Sequence, residues 1–179
     1  MKLLFIAFLV LLVASAGMIA FLRKPAFQIG DIAISGARSL NPEDVRELAL
    51  PFIQGNFLAV IPRTNTLLFS KTGMRKFLID RIPSITDASI DFTNRNLITI
   101  TITEKKPDSV WCRNADCYFI DQTGMIYEAS PQFSDGVFVT FTGSTIPVGE
   151  TPLRARFVPA NTFFYLKSII ADLKQYPFS

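Results

Sequence analysis

The most regular alternation of apolar and polar residues lies at positions 97–104, where the sequence reads LITITITE. Successive side chains of a β-strand point to opposite faces of the sheet, so the isoleucines share one face and the threonines share the other. The pattern predicts a strand with one buried face that ends at Glu104. Pro107, shortly after, has no N–H to donate to a neighbouring strand.

The preceding residues predict the other half of a hairpin. Residues 85–92 alternate in the same way, with Ala88, Ile90 and Phe92 on the apolar face, and the polar residues 93–96 form the predicted turn. An antiparallel strand of this kind faces the core on one side and solvent on the other. The hairpin is therefore expected to carry helices on its isoleucine face.

Two helices are predicted between this hairpin and a first strand at residues 27–36. Asn41 is a favoured N-cap residue, and Pro42 suits the first helical position. The expected buried face of that helix consists of Val45, Leu48 and Leu50. The second helix is predicted to follow residues 64–70, and its apolar residues recur near helical spacing at Leu67, Leu68, Met74, Phe77, Leu78 and Ile82. The order strand, helix, helix, strand, strand predicts an α+β unit with both helices on one face of a small sheet.

Further strands and one helix are predicted in the remainder of the chain. Residues 109–112, 117–130 and 137–141 are strand-like, with a turn at 121–124. Residues 161–175 predict an amphipathic helix that is capped by Asn161 or Thr162. Its apolar side comprises Phe164, Leu166, Ile169, Ile170 and Leu173.

An uninterrupted apolar segment precedes all of these elements. Residues 3–22 contain no charged side chain, and a helix of that length spans about 30 Å, the thickness of a bilayer core. A signal peptide cleaved after Ala16 is the alternative, because small residues surround that position. The apolar run continues beyond it and closes with Arg23 and Lys24, which favours an uncleaved transmembrane anchor. The flanking charges do not determine its orientation.

Charge and composition argue against several classes of function. The chain has 18 Lys and Arg, 15 Asp and Glu and no histidine, so its charge gives no reason to expect a nucleic-acid partner. Without histidine it lacks the commonest general base and metal ligand. Asp87 and Asp91 are expected on the solvent face of a strand, and Lys105 and Lys106 have no recognisable nucleophile setting. We therefore expect no enzymatic activity, metal, cofactor or small-molecule substrate.

The two cysteines, Cys112 and Cys117, flank a predicted hairpin loop at 113–116. This arrangement places them opposite each other on antiparallel strands, where a disulfide is sterically possible. Two cysteines without histidine would need outside ligands to bind zinc. A disulfide is the expected state, with two reduced thiols as the alternative. It would place this part of the chain in an oxidising compartment outside the cytoplasm.

Taken together, these features resemble the FtsQ/DivIB family of bacterial cell-division proteins. The resemblance is carried by the apolar anchor, by the order of the elements and by residues 82–111, which read IPSITDASIDFTNRNLITITITEKKPDSVW. The segment CYFIDQTGMIYEAS, residues 117–130, resembles the start of the second domain of that family. The implied domains are a cytoplasmic tail at 1–2, a transmembrane helix at 3–22, a POTRA domain at 25–106 and an incomplete β domain at 107–179.

The resemblance implies a non-catalytic scaffold of the divisome in the inner cell membrane, with a cytoplasmic N-terminus and the bulk of the chain in the periplasm. The implied partners, besides the membrane, are FtsB-like and FtsL-like proteins, with FtsK-like and FtsW/FtsI-like proteins as further candidates. Ile90 and Phe92 match positions in the second POTRA strand that are implicated in recruitment in the family. The alternative is a POTRA-type chaperone or interaction module of a polypeptide-transport system or another envelope assembly, which binds strands at the same sheet edge.

Two departures from the family pattern accompany this resemblance. Only Met1 and Lys2 precede the anchor, whereas the family usually has a longer basic tail. The family also continues past its last helix into the strand that receives FtsB and FtsL, and here the sequence ends shortly after a predicted helix. We expect a truncated reading frame or a missing partner-binding strand. The side chains of Phe163, Phe164, Ile169 and Ile170 are then expected to be exposed.

Overall fold

A three-stranded and a four-stranded sheet lie in two separate compact units, Met1–Glu104 and Lys105–Ser179. The computed structural model describes residues 2–57, 59–133, 136–143, 146–147, 150–173 and 175. Both units contain helix and strand. The fold is therefore α+β, with an apolar helix at the N-terminus.

The first unit contains, in chain order, α1 (Lys2–Leu22), a 3₁₀ turn (Pro25–Phe27), β1 (Asp31–Ser35), α2 (Pro42–Ile53), β2 (Asn56–Phe57), β3 (Ile61–Pro62), α3 (Lys71–Arg81), β4 (Ile85–Asn94) and β5 (Leu97–Glu104). The sheet order is β1-β5-β4. The central strand β5 is parallel to β1 and antiparallel to β4. The short strands β2 and β3 form a separate hairpin.

The helix α1 is apolar along its length and has no buried side chain. Its 21 residues and its mean hydropathy of 2.8 make it long and apolar enough to cross a membrane. An uninterrupted apolar helix of this length matches a bilayer core of about 30 Å. It is the one candidate membrane span in the described part of the chain.

The predicted isoleucine face of β5 is confirmed. Ile98, Ile100 and Ile102 are at most 3% exposed, and they join the core that residues of α2 and α3 complete. Thr101 and Thr103 are exposed on the other face. The alternation of the sequence therefore corresponds to one buried and one solvated side of the sheet, as the side-chain period of a strand requires.

The helix α2 begins as predicted, and its predicted buried face is confirmed in part, at Val45. The Asn41 side chain accepts a hydrogen bond from the N–H of Glu43 at 3.1 Å. The buried residues are Val45, Ala49 and Ile53, spaced four apart along one side of the helix. Leu48 and Leu50, which were expected on the buried face, are only half-buried. The helix also continues through Pro51, and Ile53 in its last turn is buried.

The helix α3 starts later than the apolar pattern suggested. Ser70 caps it by accepting a hydrogen bond from the N–H of Gly73 at 3.0 Å. Leu67 and Leu68 precede the helix and are 60% and 44% exposed, so their predicted place in the helical face is wrong. The buried Asn65 side chain accepts hydrogen bonds from both of their N–H groups, which holds this segment as a turn.

The first strand is shorter than residues 27–36. Its start is displaced because the N–H of Ile29 donates to Thr64 O at 2.7 Å and that of Gly30 donates to Asn96 O at 2.8 Å. These bonds join the segment to two loops rather than to a neighbouring strand. The ladder with β5 begins at Asp31.

The second unit contains β6 (Ser109–Arg113), β7 (Asp116–Ile120), β8 (Ile126–Ser130), β9 (Thr140–Thr142) and α4 (Ala160–Leu173). Its sheet order is β8-β7-β6-β9, with β9 parallel to β6. The buried core of this unit consists of Trp111, Ile120, Ile126, Phe157 and Phe163. Trp111 and the nearby strand β7 thus have the packing role that large aromatic residues commonly take.

Two predicted elements of the second unit differ in extent. Of the strand expected at 137–141, only the last two residues belong to β9, because the pairing with β6 begins at Thr140. The helix α4 starts at Ala160, because the N–H of Phe163 donates to Pro159 O at 3.0 Å and closes the first turn. Asn161 and Thr162 therefore lie inside the helix and do not cap it.

The expected exposure of the α4 side chains is only partly right. Phe164 and Ile169 are 56% and 37% exposed. Phe163 is fully buried, and Ile170 is half-buried. The buried ring of Phe163 lies edge-on to Phe157, with centroids 5.9 Å apart. The described part of the unit thus covers one side of α4 and leaves the other in solvent.

The last residue of β5 ties the strand to the loop before α2. Glu104 Oε1 accepts hydrogen bonds from the N–H groups of Arg38 and Leu40 at 2.7 and 3.1 Å. Its Oε2 accepts from the N–H and the hydroxyl of Ser39 at 3.0 and 2.7 Å. Partial burial acts to raise the pKa of Glu104, but the bonds from Ser39, Arg38 and Leu40 outweigh it and lower the pKa to about 2.

The substitution Glu104→Gln is expected to lower the free energy of unfolding by about 1–2 kcal/mol near neutral pH, after a reduction for solvent screening. Because the pKa is lowered from 4.5 to about 2 in the folded state, this stabilisation is complete above the unfolded value and disappears as the pH falls through the folded value. Denaturant unfolding at several pH values measures it. The exposed Glu47→Gln on α2 removes the same charge as a control, and an equal loss in both variants would contradict the assignment.

Candidate functional site at the open edge of β4

The outer edge of β4 is the principal candidate for a binding site. β4 pairs with β5 on one side, and among the described residues no strand pairs with its other side. An unpaired edge presents a row of backbone N–H and C=O groups that can accept a strand from another chain. With 10 residues, β4 is long compared with the short edge strands that proteins usually use to prevent such pairing.

Charged side chains from α3 and β4 flank this edge. Arg75 Nε lies 2.6 Å from Asp87 Oδ1, and Lys71 Nζ lies 3.2 Å from Asp91 Oδ1. Asp87 also accepts a hydrogen bond from the N–H of Ala88 at 2.7 Å. Charged groups at an edge discourage indiscriminate pairing. The ion pairs are well exposed, so they contribute little to stability and rearrange readily.

Both carboxylates remain ionised into the acid range. The hydrogen bond from Arg75, followed by that from the N–H of Ala88, lowers the pKa of Asp87 below its ordinary value. The hydrogen bonds from Ser89 and Lys71 lower the pKa of Asp91 in the same way. Asp87 and Asp91 therefore stay negatively charged over the physiological pH range.

The two residues predicted to bind a partner, Ile90 and Phe92, lie on the core side of β4. Ile90 is 5% exposed and belongs to the core. Phe92 is half-buried, and its ring lies edge-on to Phe69 with the ring centroids 5.8 Å apart. The Lys71 ammonium lies 5.3 Å from the centroid of the Phe92 ring. At these positions the backbone belongs to the open edge, whereas the side chains support the fold.

Cys112 and Cys117 occupy opposite positions on β6 and β7. Their Cα atoms are 4.1 Å apart and a disulfide joins them. An open cleft of about 450 Å³ lies beside the disulfide, and its lining includes Asn114, Phe133 and Phe138. The bond links the two central strands of the second sheet.

Reduction of this disulfide is expected to lower the free energy of unfolding of the second unit by about 2 kcal/mol, the loop-entropy value for so short a loop. Urea unfolding with and without reductant measures the difference. The double variant Cys112→Ser/Cys117→Ser is the control, because it has no bond to reduce. Mass spectrometry of alkylated, non-reduced protein from an oxidising compartment is expected to find no free thiol, and two alkylated cysteines would contradict the assignment.

The lysines considered for catalysis have different surroundings. Lys105 Nζ lies 2.7 Å from Asp121 Oδ2, and both side chains are largely buried. The Asp121 Oδ1 atom accepts hydrogen bonds from the N–H groups of Thr123 and Met125. Burial acts to raise the pKa of Asp121, but the hydrogen bonds from Lys105, Thr123 and Met125 outweigh it and lower the pKa. This arrangement is a structural ion pair in a turn, and Lys106 is exposed.

The described residues contain no group of three or more His, Cys, Asp or Glu side chains arranged to hold a metal ion.

The sequence predicted the strand β4 but did not predict the ion pairs that flank its edge. The available signal was a pair of basic residues one turn apart on α3, opposite two acidic residues on one face of β4.

Neither a protein-family model nor a curated protein matches the chain.

Proposed function

We propose that this protein is a non-catalytic, single-pass membrane scaffold of the FtsQ/DivIB type, which binds a β-strand of a partner protein along the outer edge of β4. The unpaired, ten-residue edge of β4 carries the proposal. Addition of a strand satisfies the free backbone groups of an edge and buries apolar surface. The charged pairs that α3 forms with β4 at this edge select which strand is accepted.

The organisation of the first unit supports the assignment of a POTRA domain. Apart from the short β2–β3 hairpin between the two helices, strand, helix, helix, strand and strand follow one another, with β5 at the centre of the sheet and β4 at its edge. The apolar helix α1 precedes this unit and supplies the membrane anchor. In the proposed orientation the N-terminus is cytoplasmic and both units lie in the periplasm, where the Cys112–Cys117 disulfide is stable.

The proposed partners are FtsB-like and FtsL-like chains, with FtsK-like and FtsW/FtsI-like proteins as further candidates, so that the scaffold links them to septal peptidoglycan synthesis. Photo-crosslinking in membranes of the source cell tests this proposal. A photoreactive side chain at Ser89 on β4 would lie one strand spacing, about 5 Å, from an added strand, and at Thr101 on β5 about twice as far. The two residues are paired and exposed on the same face.

Crosslinking is expected from Ser89 to one of these divisome partners, identified by mass spectrometry, and much less from Thr101. Crosslinks to many unrelated polypeptides would instead favour the envelope-assembly chaperone. Equal crosslinking from both positions would contradict strand addition at β4. A reporter that is active only in the cytoplasm, fused after the second unit, is expected to be inactive, and its activity would contradict the orientation.

A further inference from the structure

The C-terminal end of α1 is fixed to the loop between α2 and α3. The Leu22 carbonyl, which has no partner within the helix, accepts hydrogen bonds from Asn65 Nδ2 at 2.6 Å and Gln28 Nε2 at 2.8 Å. Arg23 Nε donates to Val60 O at 2.8 Å. The loop at 54–70 is therefore held at the level where the apolar helix ends.

Asn65 sets this arrangement. It is fully buried, and while its amide nitrogen bonds to α1, its Oδ1 accepts from the N–H groups of Leu67 and Leu68 at 3.0 and 3.2 Å. One side chain thus connects the end of the helix to two exposed leucines. A buried polar side chain with all its partners satisfied holds such a geometry rigidly.

Four apolar side chains of the loop are exposed beside this junction. We call them the juxtamembrane face, and they are Phe57, Val60, Leu67 and Leu68, with exposures of 40%, 36%, 60% and 44%. An open cleft of about 540 Å³ adjoins Leu67, and Phe27 and Phe92 contribute to its lining. Clustered apolar side chains at the surface mark contact with another apolar phase.

The charged side chains in residues 23–30 and 54–70 are all basic. Arg23 and Lys24 follow α1, Arg63 lies in the loop, and neither residues 23–30 nor residues 54–70 contain an acidic side chain. The Arg63 guanidinium lies 5.4 Å from the centroid of the Phe57 ring. Arg95 is in the adjacent β4–β5 turn, where Asn96 donates to Pro25 O at 2.9 Å. Basic residues beside exposed apolar ones are typical of surfaces that bind anionic bilayers.

We propose that the juxtamembrane face docks onto the surface of the bilayer that α1 spans, with its apolar side chains inserted at the boundary of head groups and acyl chains and its arginines on anionic head groups. With α1 spanning about 30 Å of hydrocarbon, Leu22 lies at that boundary, and Asn65 bonds directly to it. Docking holds the first unit in a fixed orientation to the membrane. It goes beyond the scaffold proposal and rests on α1 being a membrane span.

Depth-dependent quenching of a fluorophore tests the docking. The full chain, with its native disulfide intact, is reconstituted in vesicles after labelling of single cysteine variants with an environment-sensitive dye. Leu67→Cys reports on the juxtamembrane face and Leu12→Cys on the middle of α1. Thr103→Cys, exposed near the far end of β5, lies about 20 Å along the strand from the membrane-side turn and is the matched control.

The label at position 67 is expected to emit at shorter wavelength and to be quenched by nitroxides near the head groups, whereas the label at 103 is not. Lipid quenching at position 12 with water-like emission at 67 would overturn the docking and leave the anchor intact. Absence of quenching at position 12 would overturn the anchor itself. Protection of position 67 from water without quenching by lipid would indicate a protein occupant, a second copy of the chain, and would also contradict the proposal.

A second experiment tests whether the basic side chains contribute to docking on the bilayer. In vesicles that contain phosphatidylglycerol, Arg63→Gln is expected to reduce the docking constant reported by the label at position 67 about fivefold, the effect of one basic group near an anionic surface. In neutral phosphatidylcholine vesicles the same substitution is expected to have little effect. Arg38→Gln, exposed beside the Glu104 end of β5, is the control. An equal effect of both substitutions would contradict a specific docking face.

Discussion

Replacement of Gly36 by alanine is expected to lower the free energy of unfolding of the first unit by about 4 kcal/mol. Gly36 follows β1 with a φ of 77°, and a Cβ atom there would lie 2.3 Å from the carbonyl oxygen of Ile102. An L-residue is strained in the left-handed region. The oxygen belongs to the backbone of β5, so the contact is relieved only if β1 moves away from the central strand.

Gly55→Ala is the matched control for this prediction. Gly55 has a φ of 88°, but a Cβ atom would meet nothing within 4 Å. It therefore carries only the conformational penalty, about 1–2 kcal/mol. Hydrogen exchange of the β5 amides in increasing denaturant measures both variants in the full chain. Losses of equal size would show that the approach of Gly36 to Ile102 does not determine the stability of the sheet.

Lys105→Met is expected to destabilise the second unit by about 3 kcal/mol, because it leaves the Asp121 carboxylate buried without its counter-charge. The side chains of Lys105 and Asp121 are 15% and 13% exposed. The Lys105 ammonium also lies 5.5 Å from the centroid of the Tyr127 ring. Thermal or urea unfolding, monitored by the fluorescence of Trp111 in this unit, measures the loss.

A second variant separates the charge from the packing. In Lys105→Met/Asp121→Asn the buried charge is absent, while the amide oxygen still accepts from Thr123 and Met125, so the loss is expected to fall to about 1 kcal/mol. The pKa of Asp121 is lowered in the native protein, so this contribution is present above the unfolded pKa and is lost in acid. The difference between native protein and Lys105→Met should therefore shrink at low pH. An undiminished difference would argue against the ion pair.

The strands were the elements that sequence predicted best, because their evidence is local. The alternation at 97–104 corresponds to β5, and residues 85–92 lie within β4. Asn41 also caps α2 as expected. In each case residue types at neighbouring positions determine the structure, because alternation sets the buried face of a strand and a polar side chain caps a helix.

The sequence was less informative where distant contacts decide the structure. Leu67 and Leu68 match a helical period, but the Asn65 side chain accepts hydrogen bonds from their N–H groups and donates one to the Leu22 carbonyl. The bond to Leu22 joins residues 43 positions apart, so the local sequence does not reveal it. For Lys105 the sequence showed no recognisable nucleophile setting and no partner, whereas in the structure it pairs with a buried aspartate in a later turn. Tertiary partners replace water in both cases, so residue type alone gives the wrong environment.

The candidate site was predictable only in part. The strand that provides the edge, β4, follows from its pattern, whereas its position at the edge depends on the pairing of β5 with β1. That pairing joins residues far apart in the chain. The side chains of Ile90 and Phe92 were predicted to bind a partner, and they lie on the core side of the sheet. The proposed function therefore assigns partner binding to the backbone of these positions.

Hydrogen exchange along β4 tests the central claim most directly. The full-length protein, reconstituted with and without the partner chain that crosslinks to Ser89, is compared amide by amide, with β1 at the opposite edge of the same sheet as the internal control. Addition of a strand is predicted to slow exchange about tenfold or more at the outward-facing amides of β4 and to leave β1 unchanged. Stable complex formation with unchanged exchange in β4, or with protection confined to β1, would contradict the account.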